Sequence, residues 1–160
     1  MMYQGTTTFA ARHGRNTRHL ATVGGPIFAG ACVSSALPSQ VLIPSRDGHL
    51  YSFDITSGDL LWSYEVGDPI TASAFVDEVL SSTPAGSSDR FACICTSSGK
   101  VHVLSITADA KQENAGYFVQ AFAVMDLPGD IFSSPLMLGG RIFVGCRDDR
   151  LHCLSVTTQL

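Results

Sequence analysis

A repeat of roughly fifty residues constrains this chain more than any other feature. The turn Ser45-Arg46-Asp47-Gly48 recurs as Thr96-Ser97-Ser98-Gly99 and again as Cys146-Arg147-Asp148-Asp149. The closing positions fall at 48, 99 and 149, spacings of 51 and 50 residues. Each turn follows an apolar run: Val41-Leu42-Ile43, Phe91-Ala92-Cys93-Ile94, then Ile142-Phe143-Val144. Each is followed by an alternating run: HLYSFDI, KVHVLSI and RLHCLSV. A third element of small residues between apolar ones lies upstream, at Ile27–Ala31, Ile70–Ala74 and Ile131–Pro135. Three elements in register over three units define a repeated supersecondary unit.

Period-two alternation and β-branched residues make these elements strands. Asp47-Gly48 between two such runs is a strong hairpin signal, because both turn residues tolerate positive φ. After Asp54, the segment Ile55-Thr56-Ser57-Gly58 is a second turn, and Leu60–Val66 follows as a fourth strand. No segment carries helical periodicity. The expected fold is therefore all-β: a partial β-propeller of about three four-stranded antiparallel blades, the last incomplete. Blades are expected over about 24–66, 67–128 and 129–160, after an irregular N-terminus at 1–22. The slim residues Ala29, Gly30, Ala72, Ser73, Ser133 and Ser134 suit a first strand crowded at a propeller axis. Insertions at 79–88 and 107–116 are read as lengthened loops of the second unit. Closed propellers have about four to eight blades, so three form an open arc, with earlier blades expected to be missing and two β-edges unpaired.

Composition narrows the function classes. Hydrophobic residues make up 45% of the chain and charged ones 15%, which argues against disorder. Net charge is -4, which disfavours nucleic acid as a partner. No apolar run is long enough to span a membrane. Residues 1–46 carry four arginines and no acid, a bias resembling a weak transit peptide. The five cysteines, Cys32, Cys93, Cys95, Cys146 and Cys153, are odd in number and read as buried free thiols in a reducing, cytoplasmic setting.

Asp54, Thr56, Gly58 and Trp62 form the pattern D-x-T-x-G-x-x-x-W. It resembles the tryptophan-docking repeat of quinoprotein propellers, with Ser57 in place of Thr directly before the glycine. The resemblance implies a hydrogen-bonded turn from Asp54 to Gly58 and an inter-blade wedge at Trp62. Beyond this motif, VGDPITASAFVDE, SDRFACICTSSGKVHVL and LPGDIFSSPLMLGGRIFVGCRDDRLHCLSV resemble the C-terminal propeller of the β-alanine-activating enzymes, of the acyl-CoA synthetase-like adenylating family. That family activates a small amino acid with ATP and passes it to a phosphopantetheine carrier. The family's phosphate loop and carrier serine are expected to be absent here: Gly5-Thr6-Thr7-Thr8 only echoes such a loop, and Thr96-Ser97-Ser98-Gly99 is read as a repeat turn. The resemblance thus implies a non-catalytic module without a cofactor, whose partners are a protein or the remaining blades of a parent chain. The alternative it leaves is a fragment of a pyrroloquinoline-quinone-dependent dehydrogenase. That would need a periplasmic signal, more blades and acidic calcium ligands, and the adjacent-cysteine disulfide of such alcohol dehydrogenases is absent.

Three further groups invite chemistry. His102 and His152 occupy the same repeat position, held by Tyr51 in the first unit; two such rings can meet a metal or simply fill a strand position. Cys93 and Cys95 share one strand face, but zinc knuckles use Cys-x-x-Cys, so a core thiol is the expectation and no metal site is assigned. Arg147-Asp148-Asp149-Arg150 is a charged hairpin turn suited either to solvent or to gripping a carboxylate.

Overall fold

The computed structural model describes residues 5–6, 21–80, 89–109 and 116–157. Every element among them is a strand. β1 (Gly5–Thr6) pairs with β2 (Thr22–Val23). The first repeat unit forms β3 (Cys32–Ser34), β4 (Leu37–Pro44), β5 (His49–Asp54) and β6 (Leu60–Glu65). The second forms β7 (Phe75–Val76), β8 (Arg90–Cys95), β9 (Lys100–Asp109) and β10 (Gly116–Asp126). The third forms β11 (Leu136–Leu138), β12 (Arg141–Cys146) and β13 (Arg150–Ser155). Each unit is an antiparallel meander with strands in chain order, giving sheets of four, four and three strands. Among the described residues no helix is long and apolar enough to cross a membrane.

The repeat turns depart from the expected backbone in one detail: only the closing residue takes positive φ, not both, because Gly48 N bonds back to Ser45 O at 3.2 Å and Gly99 N to Thr96 O at 3.1 Å in a longer turn. Gly48 and Gly99 lie at φ 86° and 91°, and Asp149 holds the same left-handed region at 63°. The repeat extends to long-range backbone bonds. Arg46 N donates to Pro26 O at 3.1 Å, Ser97 N to Pro69 O at 2.9 Å and Arg147 N to Asp130 O at 2.9 Å. These single bonds correct one expectation. The small-residue segments are not strands; they run as irregular chain just ahead of β3, β7 and β11. None forms a ladder; the second adds only an isolated bridge from Ile70 to Thr96 and a bond from Ile70 N to Ser45 O of the first hairpin at 3.2 Å. Crowding at the axis is nonetheless present. A Cβ on Gly30 would lie 3.0 Å from Ser73 Oγ, and Ser73 N donates to Ser134 Oγ at 3.0 Å.

A second correction concerns 107–116. Thr107–Asp109 continues β9 and Gly116 opens β10, so the insertion lengthens a hairpin rather than a loop. Tyr117, Phe118 and Val119 supply the β-prone half of that extension, pairing with Ala108, Thr107 and Ile106. The Ser-rich insertion falls mostly at 81–88, outside the described residues, as does most of the N-terminal segment.

Successive strand residues point to opposite faces, and the second sheet uses that to pack on a neighbour at each face. Leu42, Leu50 and Trp62 of the first sheet meet Ile94, Leu104 and Ile106 of the second. Phe91, Cys93, Val101 and Val103, on the other face of the second sheet, meet Met137, Ile142 and Val144 of the third. The free face of the first sheet, with Val41, Ile43 and Phe53, is covered by Ala21, Val23 and Ile27. Layers of this kind cannot close a core alone, so each blade depends on its neighbours.

Candidate functional site

Two adjacent carboxylates bind the second blade to both of its neighbours. Asp77 and Glu78 follow β7 directly and alternate in direction like the strand they extend. Asp77 is fully buried. Its Oδ1 accepts from the N–H groups of Val79, Leu80 and Gly139 at 2.8, 2.9 and 3.1 Å, and its Oδ2 from Gly140 N–H at 2.8 Å. Gly139 and Gly140 form the β11–β12 turn of the third blade, both at positive φ. Glu78 reaches the opposite way. Its carboxylate accepts from Ser34 Oγ at 2.6 Å and from Ser35 N at 3.2 Å, in the β3–β4 turn of the first blade. Burial pushes the Asp77 carboxyl up, but its backbone donors, Gly140 foremost, outweigh that and hold it below the usual carboxylate range. The hydroxyls of Ser34 and Ser35 lower Glu78 likewise.

At the axis lies a cleft of roughly 510 Å³ lined by Phe28, Arg46, Thr71, Ser97, Asp130 and Phe132. The repeat explains it. Phe28, Thr71 and Phe132 are equivalent positions, as are Arg46, Ser97 and Arg147. In the first and third units the guanidinium stacks on the ring: Arg46 lies 5.1 Å from the Phe28 centroid and Arg147 5.7 Å from that of Phe132. The second unit has Thr71 and Ser97 instead, leaving space between two stacks. Thr71 Oγ1 is buried there without a hydrogen-bond partner. Arg147 also faces Asp130 at 3.9 Å, so the charged turn is part of the wall of this end of the arc.

The repeat turns carry their own polar pairs. Tyr51 OH donates to Asp47 Oδ2 at 2.7 Å, and His152 Nε2 lies 2.9 Å from Asp148 Oδ2. Cys146 Sγ donates to Gly129 O at 3.3 Å. Burial raises Asp148, but hydrogen bonds from His152 and Cys146 prevail and lower it. His102, the equivalent of His152, stands apart with its Nε2 buried and unpartnered. Its surroundings depress its basicity, burial first and Lys100 second. The two histidines therefore do not converge. Cys93 and Cys95 are fully buried core thiols, whereas Cys153 is exposed, against the expectation of five buried thiols. Its sheet face has no neighbour among the described residues.

The D-x-T-x-G-x-x-x-W residues lie together on the first blade. Asp54 Oδ1 accepts from the N–H groups of Thr56 and Ser57, both at 2.8 Å, and Asp54 O accepts from Gly58 N at 2.8 Å. Gly58 sits at φ 78°. Trp62 is buried in the apolar layer between the first and second blades, and its Nε1 donates to Gln40 Oε1 at 3.0 Å. Ser52 Oγ donates to the same oxygen at 2.7 Å. Gly58→Ala is expected to lower stability by about 1–2 kcal/mol, the cost of a Cβ in the left-handed region. Urea unfolding checks this; a change near zero would mean the turn relaxes.

No protein-family model matches the chain. It is 33% identical to the β-alanine-activating enzyme of Danio rerio over 115 residues, 72% of the chain and 9% of that relative. It is 27% identical to the β-alanine-activating enzyme of Homo sapiens over 123 residues, 77% of the chain and 10% of that relative. The chain thus spans about a tenth of the length of the curated relatives it matches. Among solved structures, BamB from Moraxella catarrhalis is similar at a TM-score of 0.55 and 22% identity, covering 79% of the chain and 31% of BamB. The WD40 domain of SCAP from fission yeast gives a TM-score of 0.55 at 14% identity, covering 74% of the chain and 27% of that domain. The fold is an arc of β-propeller blades.

Proposed function

We propose that this chain is a non-catalytic propeller segment acting as a protein-interaction or substrate-presenting scaffold of a β-alanine-activating, acyl-CoA synthetase-like enzyme, with further sheets of the same kind covering its flank. The observation that carries the scaffold reading is the asymmetry of one repeat position. Leu50, Val101 and Leu151 are equivalent; the first two are 0% exposed, and Leu151 is 73% exposed. Around it, Leu136, Leu138 and Cys153 are also exposed, so the third blade presents an apolar face of the type its predecessors bury. Similarity to the β-alanine-activating enzymes supports the parent reaction, and the placing of Gly99-Lys100 in the tight β8–β9 hairpin turn supports a supporting rather than a chemical role. The axial cleft, with Arg46, Asp130, two phenylalanine rings and hydroxyls, suits contact with a polar group of a partner or a presented substrate.

Two measurements test this. The isolated chain is expected to release no pyrophosphate from ATP and β-alanine; turnover would overturn the non-catalytic reading. By sedimentation the chain is expected to self-associate with rising concentration, and Leu151→Asp to shift it toward the 17.0 kDa monomer. A wild-type chain that stays monomeric at all concentrations would remove the case for a covered flank.

A further inference from the structure

The third repeat turn differs from the first in a chemically directed way. The first unit places Ser45, Asp47 and Tyr51 around its hairpin, with Asp47 N donating to Ser45 Oγ at 3.3 Å and the tyrosine hydroxyl bonded to the aspartate. The third places Cys146, Asp148 and His152 at the same positions. The first and third units thus share a small polar group, a carboxylate and a ring bonded to it. The third unit supplies a thiol and an imidazole, the two side chains that bind borderline metal ions best. Cys146 Sγ, an Asp148 carboxylate oxygen and a His152 ring nitrogen lie within 4.8 Å of one another. All three residues are half-buried, so a fourth position stays open to water.

We propose that Cys146, Asp148 and His152 form a binding site for a divalent cation of the zinc type, held by one sulfur, one oxygen and one nitrogen. The donors need only modest adjustment: tetrahedral bonds of about 2.0–2.3 Å place ligand atoms roughly 3.3–3.7 Å apart, so the His152–Asp148 pair, at 2.9 Å, opens slightly, and all three atoms already lie within 4.8 Å of one another. Cys146 and Asp148 flank the β12–β13 turn and His152 lies on β13, so the ligands come from one hairpin whose ladder is already fixed. Binding replaces the His152–Asp148 hydrogen bond with two metal bonds. It breaks the Cys146 S–H bond, forms a sulfur–metal bond and releases the proton to solvent. A thiolate and a carboxylate together balance the charge of the cation. Arg147 and Arg150 oppose it weakly: both are exposed, and Arg147 is turned toward Phe132 and Asp130. The second unit has Thr96 and Ser98 at the first two positions and lacks the donor set.

Cobalt(II) is the probe. Titrated into the full chain, it is expected to give a thiolate-to-cobalt charge-transfer band that saturates at one equivalent and is displaced by zinc. Cys146→Ser and His152→Tyr restore the residues of the first unit, which that hairpin already accommodates. Each is expected to abolish the band or weaken cobalt binding by at least about tenfold, the loss found even for outer-sphere partners of a metal. Cys153→Ser, on the opposite face of β13, is expected to leave it unchanged. Zinc is also expected to raise the melting temperature of the wild type but not of Cys146→Ser, whose retained fold is checked by circular dichroism. No band with folded wild-type protein, or a band that survives in Cys146→Ser, would overturn the site.

Discussion

Replacing Asp77 with Ala is expected to lower unfolding stability by about 3–5 kcal/mol, since a buried N–H donor left without its acceptor costs about 1–3 kcal/mol and several are orphaned here. Four backbone N–H groups point at this carboxylate, two from its own turn and two from Gly139-Gly140 of the next blade. With the side chain gone, the donors lose their acceptor in a site with no solvent exposure at Asp77. Asp77→Asn separates charge from shape. Its amide keeps one oxygen but turns an N–H₂ toward donors, and the expected loss is roughly 2 kcal/mol. Glycine at 139 and 140 is part of the same design, since both positions lie at positive φ and a Cβ on Gly140 would strike Val156 O.

The same contact predicts a pH dependence. The folded carboxyl is held below its unfolded value of about 3.9, so its contribution is fully present above that value. It is lost as pH falls through the folded value. The stability gap between wild type and Asp77→Asn is therefore expected to be constant near neutrality and to close on acidification below about pH 4. Denaturant midpoints for both proteins across pH 2–7 measure it. Other lowered carboxyls, at Asp47, Asp54, Glu78 and Asp148, titrate in both proteins and largely cancel from the difference. A gap that stays open at the acid end would mean the carboxylate charge is not what holds the turn.

The hairpins were legible because their information is local. Asp47-Gly48, Ser98-Gly99 and Asp148-Asp149 each name a turn, and the flanking alternation names the strands. The tie from Asp54 to Gly58 is local too. Asp77 and Glu78 were not legible: their partners lie 62, 63, 43 and 44 residues away, on turns of other blades, and a pair of acids after a short strand reads as solvated surface. Gln40 was hidden for the same reason, as a polar residue whose partners sit on two other strands. The polar Thr107-Ala108-Asp109 gave no alternation, so the pairing that extends β9 came from its partner strand. The small-residue segments misled because slimness identifies the axis but not the backbone pairing there. Leu151 carries the alternation of a core residue, and only the third dimension shows that no blade lies against it among the described residues.

Replacing Trp62 with Ala is expected to cost about 3–5 kcal/mol, as large-to-small changes in well-packed cores do. The residue is 8% exposed and belongs to the layer that also contains Ile94, Leu104 and Ile106 of the next blade, with Tyr117 and Val119 packed against it. Removing the indole leaves a cavity between two sheets that backbone ladders hold in place, so collapse is limited. It also leaves Gln40 Oε1 with Ser52 as its remaining donor. Trp62→Phe keeps much of the apolar volume and removes the indole N–H, so about 1 kcal/mol is the expected share of the hydrogen bond. The ratio of the two losses measures how far the side chain acts as a wedge and how far as a donor. The wedge reading makes a further demand. A cycle pairing Trp62→Ala with Ile106→Ala, across the two blades, is expected to show a coupling of about 0.5–3 kcal/mol. Strict additivity would place the energetic role of Trp62 within the first blade alone. Trp62 is the single tryptophan of the chain, so its fluorescence reports this layer and no other during unfolding of the wild type. A transition seen by Trp62 before the far-ultraviolet signal changes would show the blades parting before the sheets melt.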